Sequence, residues 1–150
     1  MNHALLLAHL AGVIIWIGGM FFVLACLRPV VHDLQPQQRA PLMAAVLGRF
    51  FGWVGLAVVL IWASGATRLA QLGMAGAPAG WHAMLLTGTI MTVIFIVIRI
   101  RHFNRLRDHL ARADFPAAGA CLERIRRLVQ INLMLGALTI VFAKWPSLGL

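Results

Sequence analysis

Four long apolar segments dominate the pattern of hydrophobic and polar positions along the chain. They cover residues of about 4–27, 50–68, 81–99 and 128–145, and each approaches the roughly 20 apolar residues that a helix needs to cross a bilayer. Within lipid a spanning segment has to pair its own backbone N–H and C=O groups, which a helix does. The pattern therefore predicts an all-α integral membrane protein, a single domain over residues 1–150 that forms a bundle of four transmembrane helices.

The composition agrees with this prediction and excludes the common soluble classes. Of the 150 residues, 61% are hydrophobic and 11% are charged, whereas soluble domains have roughly 45–50% and about 25%. A soluble domain of this size exposes much of its surface and cannot bury so many apolar side chains. The first segment follows no Lys or Arg and is longer than a signal-peptide core, which predicts a retained helix.

The distribution of the basic residues predicts the orientation. Of the 13 Lys and Arg residues behind the net charge of +9, three lie in residues 28–49, eight in residues 99–127, and only Arg68 and Lys144 elsewhere. Because Lys and Arg accumulate on the cytoplasmic side, both basic connections are predicted to be cytoplasmic and both termini periplasmic, in a bacterial inner membrane. The charge then needs no nucleic acid, and membrane lipid is the expected contact.

The second basic connection has the features of two helix ends joined by a turn. Asp114 is predicted to cap a helix with Pro116 in its first turn. Asp108 with Arg112, and Glu123 with Arg127, are i,i+4 pairs in the favoured orientation. Helices three and four are therefore predicted to extend beyond the membrane as a basic cytoplasmic helical hairpin.

His9 is the clearest functional candidate, because an ionisable group inside a span is expensive. By the 3.6-residue period it shares a helix face with Gly12 and Trp16. An imidazole, a small residue and an indole would suit one wall of a flat aromatic cofactor. The alternative is a histidine that only hydrogen-bonds to a neighbouring helix.

His82 and Met84 open the third span at the same side of the membrane as His9. Two histidines from different helices could ligate haem iron or a shared transition metal if helices one and three are neighbours. The thioether of Met84 would favour Cu(I). Positions two apart on a helix point to different faces, however, so His82 and Met84 would not form a simple chelate on a helix.

Arg68 and Asn132 are the remaining polar candidates in or near the spans. Arg68 could pair with a haem propionate or anchor its helix at the interface. Asn132 is a candidate cofactor contact, although an interhelical hydrogen bond also explains it. A stripe of small residues on span two is predicted to allow close packing; it comprises Gly48, Gly52 and Gly55.

Soluble-enzyme motifs are missing from the sequence. The phosphate-binding, serine-hydrolase and zinc-protease motifs do not occur. Cys26 and Cys121 form no C-x-x-C pair. The four acidic residues all fall in the basic connections, so no carboxylate pair is available for hydrolysis within the membrane.

The first helix resembles the signature of the CopD (copper resistance D-like) family. The residues that carry the resemblance are His9, Trp16-Ile17-Gly18-Gly19-Met20-Phe21-Phe22, Arg28-Pro29, Arg49-Phe50, Gly65, His82 and residues 126–136. The resemblance extends over essentially the whole chain. It implies a bacterial inner-membrane protein linked to copper uptake or resistance.

The same first-helix pattern is similar to HemJ, the haem-binding membrane protoporphyrinogen oxidase. That family carries a functional lysine in its third helix. The corresponding stretch here, Trp81–Leu86, contains none, and Lys144 is the only lysine of the chain. The resemblance makes a HemJ-like oxidoreductase the main enzymatic alternative and keeps haem binding through His9 open.

Three functional hypotheses follow from the sequence. The first is CopD-like copper handling with His9 and His82 as ligands and Met84 as a further one. The second is a haem b protein for electron transfer or porphyrin oxidation that uses the same histidines. The third is a structural or assembly subunit without a cofactor. A second copy of the chain or a periplasmic copper-binding protein is the expected protein partner.

Overall fold

The computed structural model of the chain describes residues 3–72 and 79–144. These residues form four long helices and contain no strand. The helices are α1 (His3–His32), α2 (Pro36–Leu72), α3 (Gly80–Ala111) and α4 (Phe115–Lys144). All four are long and apolar enough to cross a membrane. The prediction of an all-α protein with four spanning helices is confirmed.

Each helix continues beyond the apolar segment that predicts it. The polar residues of the 28–49 connection suggest a loop, but residues 28–32 and 36–49 are helical. With 37 residues, α2 is about 55 Å long and extends well past the hydrocarbon layer. Pro41 lies inside α2 and removes one backbone hydrogen bond. The exposed Gln37 carbonyl that loses this donor can bind water instead, so the helix continues.

The four helices form an antiparallel bundle around an aromatic core. α1 packs mainly on α2, α3 packs mainly on α4, and α2 and α4 meet between the two pairs. The ring of Phe51 in α2 is edge-on to Phe95 and Phe103 of α3, at centroid distances of 6.1 Å and 5.3 Å. Trp16 of α1 meets Phe95 at 6.3 Å. Such pairs add about 0.5–1.5 kcal/mol each to the burial of their apolar area, and they join three of the helices.

The outer surface of the bundle is apolar over most of its length. Large side chains with more than half of their area exposed include Leu7 at 65%, Ile14 at 70%, Val59 at 63% and Met134 at 73%. A soluble monomer does not expose apolar patches of this extent. Lipid is the solvent that this surface requires.

Close contact between helices occurs at three glycines outside the predicted stripe. At Gly19 of α1, an added Cβ atom would overlap the Phe50 ring of α2. A Cβ atom on Gly12 of α1 would lie 2.8 Å from Ile61 Cγ1 and 2.9 Å from the Ala57 carbonyl oxygen of α2. A Cβ on Gly136 of α4 would lie 3.0 Å from Ile17 Cδ1 of α1. In the predicted α2 stripe, Gly48 contacts Phe103, whereas Gly52 and Gly55 would meet nothing within 4 Å.

The predicted helical hairpin between the third and fourth helices is confirmed. The backbone N–H of Ala117 donates to Asp114 Oδ1 at 3.1 Å, which is the expected cap. The expected Glu123–Arg127 pair is wrong, because Glu123 accepts from Arg126 Nε at 2.8 Å and from Arg28 of α1. We call the end of the bundle that carries residues 28–49 and 99–127 the basic end, and the other the opposite end.

Gly12→Ala is expected to destabilise the protein by about 1–3 kcal/mol, because the added methyl group overlaps a backbone carbonyl oxygen that cannot rotate away. Gly52→Ala is the matched control, since it adds the same methyl group where nothing lies within 4 Å. Unfolding of both variants in detergent measures the difference. Equal stabilities would contradict the close contact of α1 and α2.

Candidate functional site

His9 lies at the contact between α1 and α2. Its Nδ1 atom is 2.9 Å from the Oγ atom of Ser64, a side chain that is only 5% exposed. His9 precedes Gly12 by three residues, and Ser64 follows Ile61 by three residues. The close approach of Gly12 and Ile61 therefore brings the two polar side chains together one turn nearer the opposite end. The His9 side chain is half-buried, so it also remains accessible from outside.

The Ser64 hydroxyl determines which nitrogen of His9 carries the proton. Ser64 Oγ is 2.6 Å from the Leu60 carbonyl oxygen and 3.0 Å from the Ile61 carbonyl oxygen. A hydroxyl has one proton to donate, and the backbone carbonyls take it. Ser64 Oγ then accepts a hydrogen bond from His9 Nδ1–H. The neutral ring keeps its lone pair on Nε2, and this is the form in which an imidazole oriented by a second group binds a metal.

The opposite end is held together by few buried apolar side chains. Among the described residues, buried hydrophobic side chains begin at Trp16 in α1 and at Met91 in α3, and they end at Ala57 in α2 and at Val129 in α4. Beyond these limits the helices are joined by half-buried apolar side chains such as Ile61 and Leu133 and by polar contacts. A region with so little buried apolar area opens more easily than the rest of a fold, and His9 lies within it.

Arg68, His82 and Met84 lie at the same end. The guanidinium carbon of Arg68 is 5.5 Å from the centroid of the Trp81 ring, a cation–π contact between α2 and α3. His82 follows Trp81 and is exposed, whereas Met84 is half-buried. α3 is α-helical at both positions. Because residues two apart on a helix do not face each other, His82 and Met84 cannot chelate one ion together.

Trp16 lies deeper, in the aromatic core. It is 4% exposed, and Phe95 is packed against it edge-on. Trp16 follows His9 by seven positions, which corresponds to a distance of about 10 Å along the helix axis. The indole therefore packs against the bundle interior, while the imidazole lies at a looser level of the same helix.

Asn132 is a buried amide in the middle of α4. The side chain is 2% exposed, and its Oδ1 atom has no hydrogen-bond partner among the described residues. Most buried polar atoms are paired, so this position remains a candidate contact. Thr139, two turns further on, hydrogen-bonds to Thr87 of α3 at 2.8 Å.

Ser64, Thr87 and Thr92 are polar residues that the sequence does not single out. Each hydroxyl bonds to its own helix backbone and also contacts a polar side chain of another helix. The sequence shows only that a Ser or Thr lies within an apolar span. Such residues are common in spans, because their hydroxyl groups can hydrogen-bond to backbone carbonyls of their own helix. The choice of partner depends on the helix packing.

The described residues provide individual ligand atoms and no enclosed metal cage. No three His, Cys, Asp or Glu side chains converge within residues 3–72 and 79–144. A structural metal site usually has four protein ligands. The candidate ligands within the described residues do not form a site of this kind.

Fold and site together define a four-helix integral membrane protein with an oriented imidazole at a helix contact. A family model described as copper resistance protein D, CopD, matches residues 44–145. The chain belongs to the CopD family. The match includes α3, α4 and most of α2, but it does not reach His9. No curated protein and no solved structure matches the chain. The family-model match supports CopD and does not support the resemblance to HemJ.

A double-mutant cycle on His9 and Ser64 tests their hydrogen bond. Ser64→Ala removes the acceptor of His9 Nδ1–H, so we expect Ser64→Ala and His9→Leu to show a coupling of about 0.6 and at most about 1.7 kcal/mol in unfolding free energy. Thr67→Ala is the matched control, because within residues 3–72 and 79–144 the Thr67 hydroxyl bonds only to the Ala63 carbonyl of its own helix. Additive effects in both cycles would mean that the two side chains do not interact.

Proposed function

We propose that the chain handles copper ions at the membrane and that His9 is the ligand that receives an ion at the opposite end. The observation that carries this proposal is the His9–Ser64 hydrogen bond. It fixes the ring orientation and leaves Nε2 as the ligand atom, the arrangement found around metal-binding histidines. Membership of the CopD family supports the link to copper.

The sparse ligand set fits copper as cargo. An ion in transit has to bind favourably enough to enter and weakly enough to leave. Imidazole and thioether groups both suit copper. His82 and Met84 are proposed as separate further ligands from α3, because the helix directs them to different faces. A periplasmic copper-binding protein or a second copy of the chain is the proposed partner.

Haem b bound through His9 is the second candidate. The same tautomer would supply an axial nitrogen to iron, and Arg68, one turn from Ser64, could pair with a propionate. Copper is favoured because the Trp16 ring packs against Phe95 in the core, where it offers no open wall to a porphyrin. In the third candidate, a structural subunit, the His9–Ser64 bond only holds two helices together.

We further propose that the basic end is cytoplasmic, in a bacterial inner membrane. The excess of arginine in residues 28–49 and 99–127 supports this orientation through the positive-inside rule. His9 would then receive an ion from the periplasmic side, where both termini would lie.

His9→Ala is expected to abolish copper binding by the detergent-purified protein. Ser64→Ala is expected to weaken it about 10–100-fold, because the ring loses the group that orients it. His32→Ala, an exposed histidine of the basic end, is the control and should bind copper as the parent chain does. Metal analysis for copper and iron, with visible spectra of oxidised and reduced protein, measures the outcome.

Two results would contradict the copper proposal. A haem Soret band that disappears in His9→Ala would identify haem b as the bound group. A protein without copper or haem that is merely less stable after His9→Ala would identify a structural role. His82→Ala and Met84→Leu, measured separately, are each expected to lower copper affinity without abolishing it.

The orientation is tested by cysteine labelling in a chain that carries Cys26→Ala and Cys121→Ala. Gln71→Cys and Arg107→Cys place a thiol at exposed positions near the two ends of the bundle. In intact cells a membrane-impermeant maleimide should label Gln71→Cys and leave Arg107→Cys unlabelled until the cells are lysed. The reverse pattern would place the basic end outside.

A further inference from the structure

A cavity at the basic end lies apart from the His9 region. It has a volume of about 280 Å³ and lies between α1, α2 and α4. A second cavity of about 240 Å³ adjoins it and shares Leu24, Arg28, His32 and Arg126 with it. Neither cavity is lined by His9 or His82, so their chemistry is separate from the proposed copper ligands.

The cavity has an excess of positive charge. Three arginines line it, Arg28, Arg39 and Arg126, against one carboxylate, Glu123. Glu123 contacts Arg28 and Arg126 and so holds two guanidinium groups close together. Arg39 makes one hydrogen bond, from Nη1 to the His32 carbonyl oxygen at 3.3 Å. Since a guanidinium has five N–H donors, each of the three can still donate to a further anion.

Apart from His32, the remaining walls are apolar, and the cavity continues to the outer surface of the bundle. Val23, Met43 and Leu47 line its inner wall. The adjoining cavity adds Pro29 of α1 and Gln130 of α4, both exposed on the bundle surface. This opening between α1 and α4 leads from the arginines to the outer surface of the bundle. A ligand that enters here needs a negatively charged group for the arginines and an apolar part for the surrounding side chains.

We propose that this cavity binds the phosphate group of an anionic phospholipid, whose headgroup lies between the three arginines while its acyl chains extend outward between α1 and α4. Guanidinium groups recognise phosphate through paired N–H donors. Basic pockets between transmembrane helices are known to take lipid headgroups. The volume suits a small headgroup, since pockets for drug-sized molecules begin at about 300 Å³.

The lateral opening favours a lipid over free phosphate. A site for a soluble anion requires access from water alone, whereas this cavity has largely apolar walls and opens sideways between α1 and α4, at the exposed Pro29 and Gln130. A lipid phosphate is also held near this depth by its own acyl chains. The arginines then act on a ligand that is already concentrated at the interface.

Two variants with one matched control test the proposal in detergent. Arg39→Gln removes a guanidinium that has no contact with Glu123. Gly119→Leu fills the cavity without changing its charge, because Gly119 lines the cavity and a Cβ there meets nothing within 4 Å. Arg107→Gln is the control, since Arg107 is exposed on the hairpin and does not line the cavity. Native mass spectrometry measures binding of phosphatidylglycerol, of phosphatidylcholine with the same acyl chains, and of inorganic phosphate.

The parent chain is expected to bind phosphatidylglycerol at least about tenfold more tightly than phosphatidylcholine. Arg39→Gln and Gly119→Leu should each weaken phosphatidylglycerol binding by about tenfold, while Arg107→Gln leaves it unchanged. Unfolding midpoints without lipid should stay close to that of the parent for all three.

Three outcomes would overturn the proposal. Inorganic phosphate that binds and competes with phosphatidylglycerol would assign the cavity to a soluble anion. Equal losses in Arg39→Gln and Arg107→Gln would indicate general attraction to a basic surface. Unchanged binding in Gly119→Leu would place the lipid outside the cavity.

Discussion

The close contact of α1 and α2 at Gly12 is the constraint on which the candidate site depends. Because Gly12 has no side chain, Ile61 and the Ala57 carbonyl of α2 lie against the α1 backbone. One turn away the same approach brings His9 within 2.9 Å of Ser64. The hydrogen bond then fixes the tautomer, and the tautomer fixes which nitrogen is available to a metal. A side chain at position 12 would push α1 and α2 apart, and the His9–Ser64 hydrogen bond would be lost.

The two halves of the bundle are stabilised by different interactions. Toward the basic end, aromatic and aliphatic side chains fill the interior, and Phe51 with its ring neighbours joins α2 to α3. Toward the opposite end, polar contacts such as His9–Ser64 and Thr87–Thr139 supplement the close approach at Gly12. Polar bonds of this kind contribute only about 0.6 kcal/mol each in a membrane. Among the described residues, the half with the copper ligand candidates has fewer buried apolar side chains than the half with the arginine-lined cavity.

Much of the fold could be predicted because lipid leaves few alternatives to a helix. The helical extension over residues 36–49 could not be predicted, because Arg39, Pro41 and Arg49 are residues typical of loops. A helix that leaves the membrane also becomes polar, so the two cases look alike in the sequence. His9 was identifiable from its type and surroundings alone. Its partner Ser64 was not, since the choice among the hydroxyls of other helices depends on tertiary packing. Local pairing rules likewise miss the contact of Glu123 with Arg28, which joins residues far apart in the chain.

The π-helical turns of α1, Ile14–Gly18 and Val23–Leu27, give the length of this helix a meaning of its own. A π turn holds more residues than an α turn, so the buried positions 12, 16 and 20 stay on one line, although a spacing of four would otherwise drift around the axis. Deletion of a single residue in Ile14–Gly18 would therefore let this turn become α-helical with little rotation of the N-terminal portion, whereas the same deletion in an α-helical stretch rotates it by roughly 100°. The imidazole would still face α2 after the first deletion. The orientation of His9 thus tolerates the loss of one residue in the π turn that follows it.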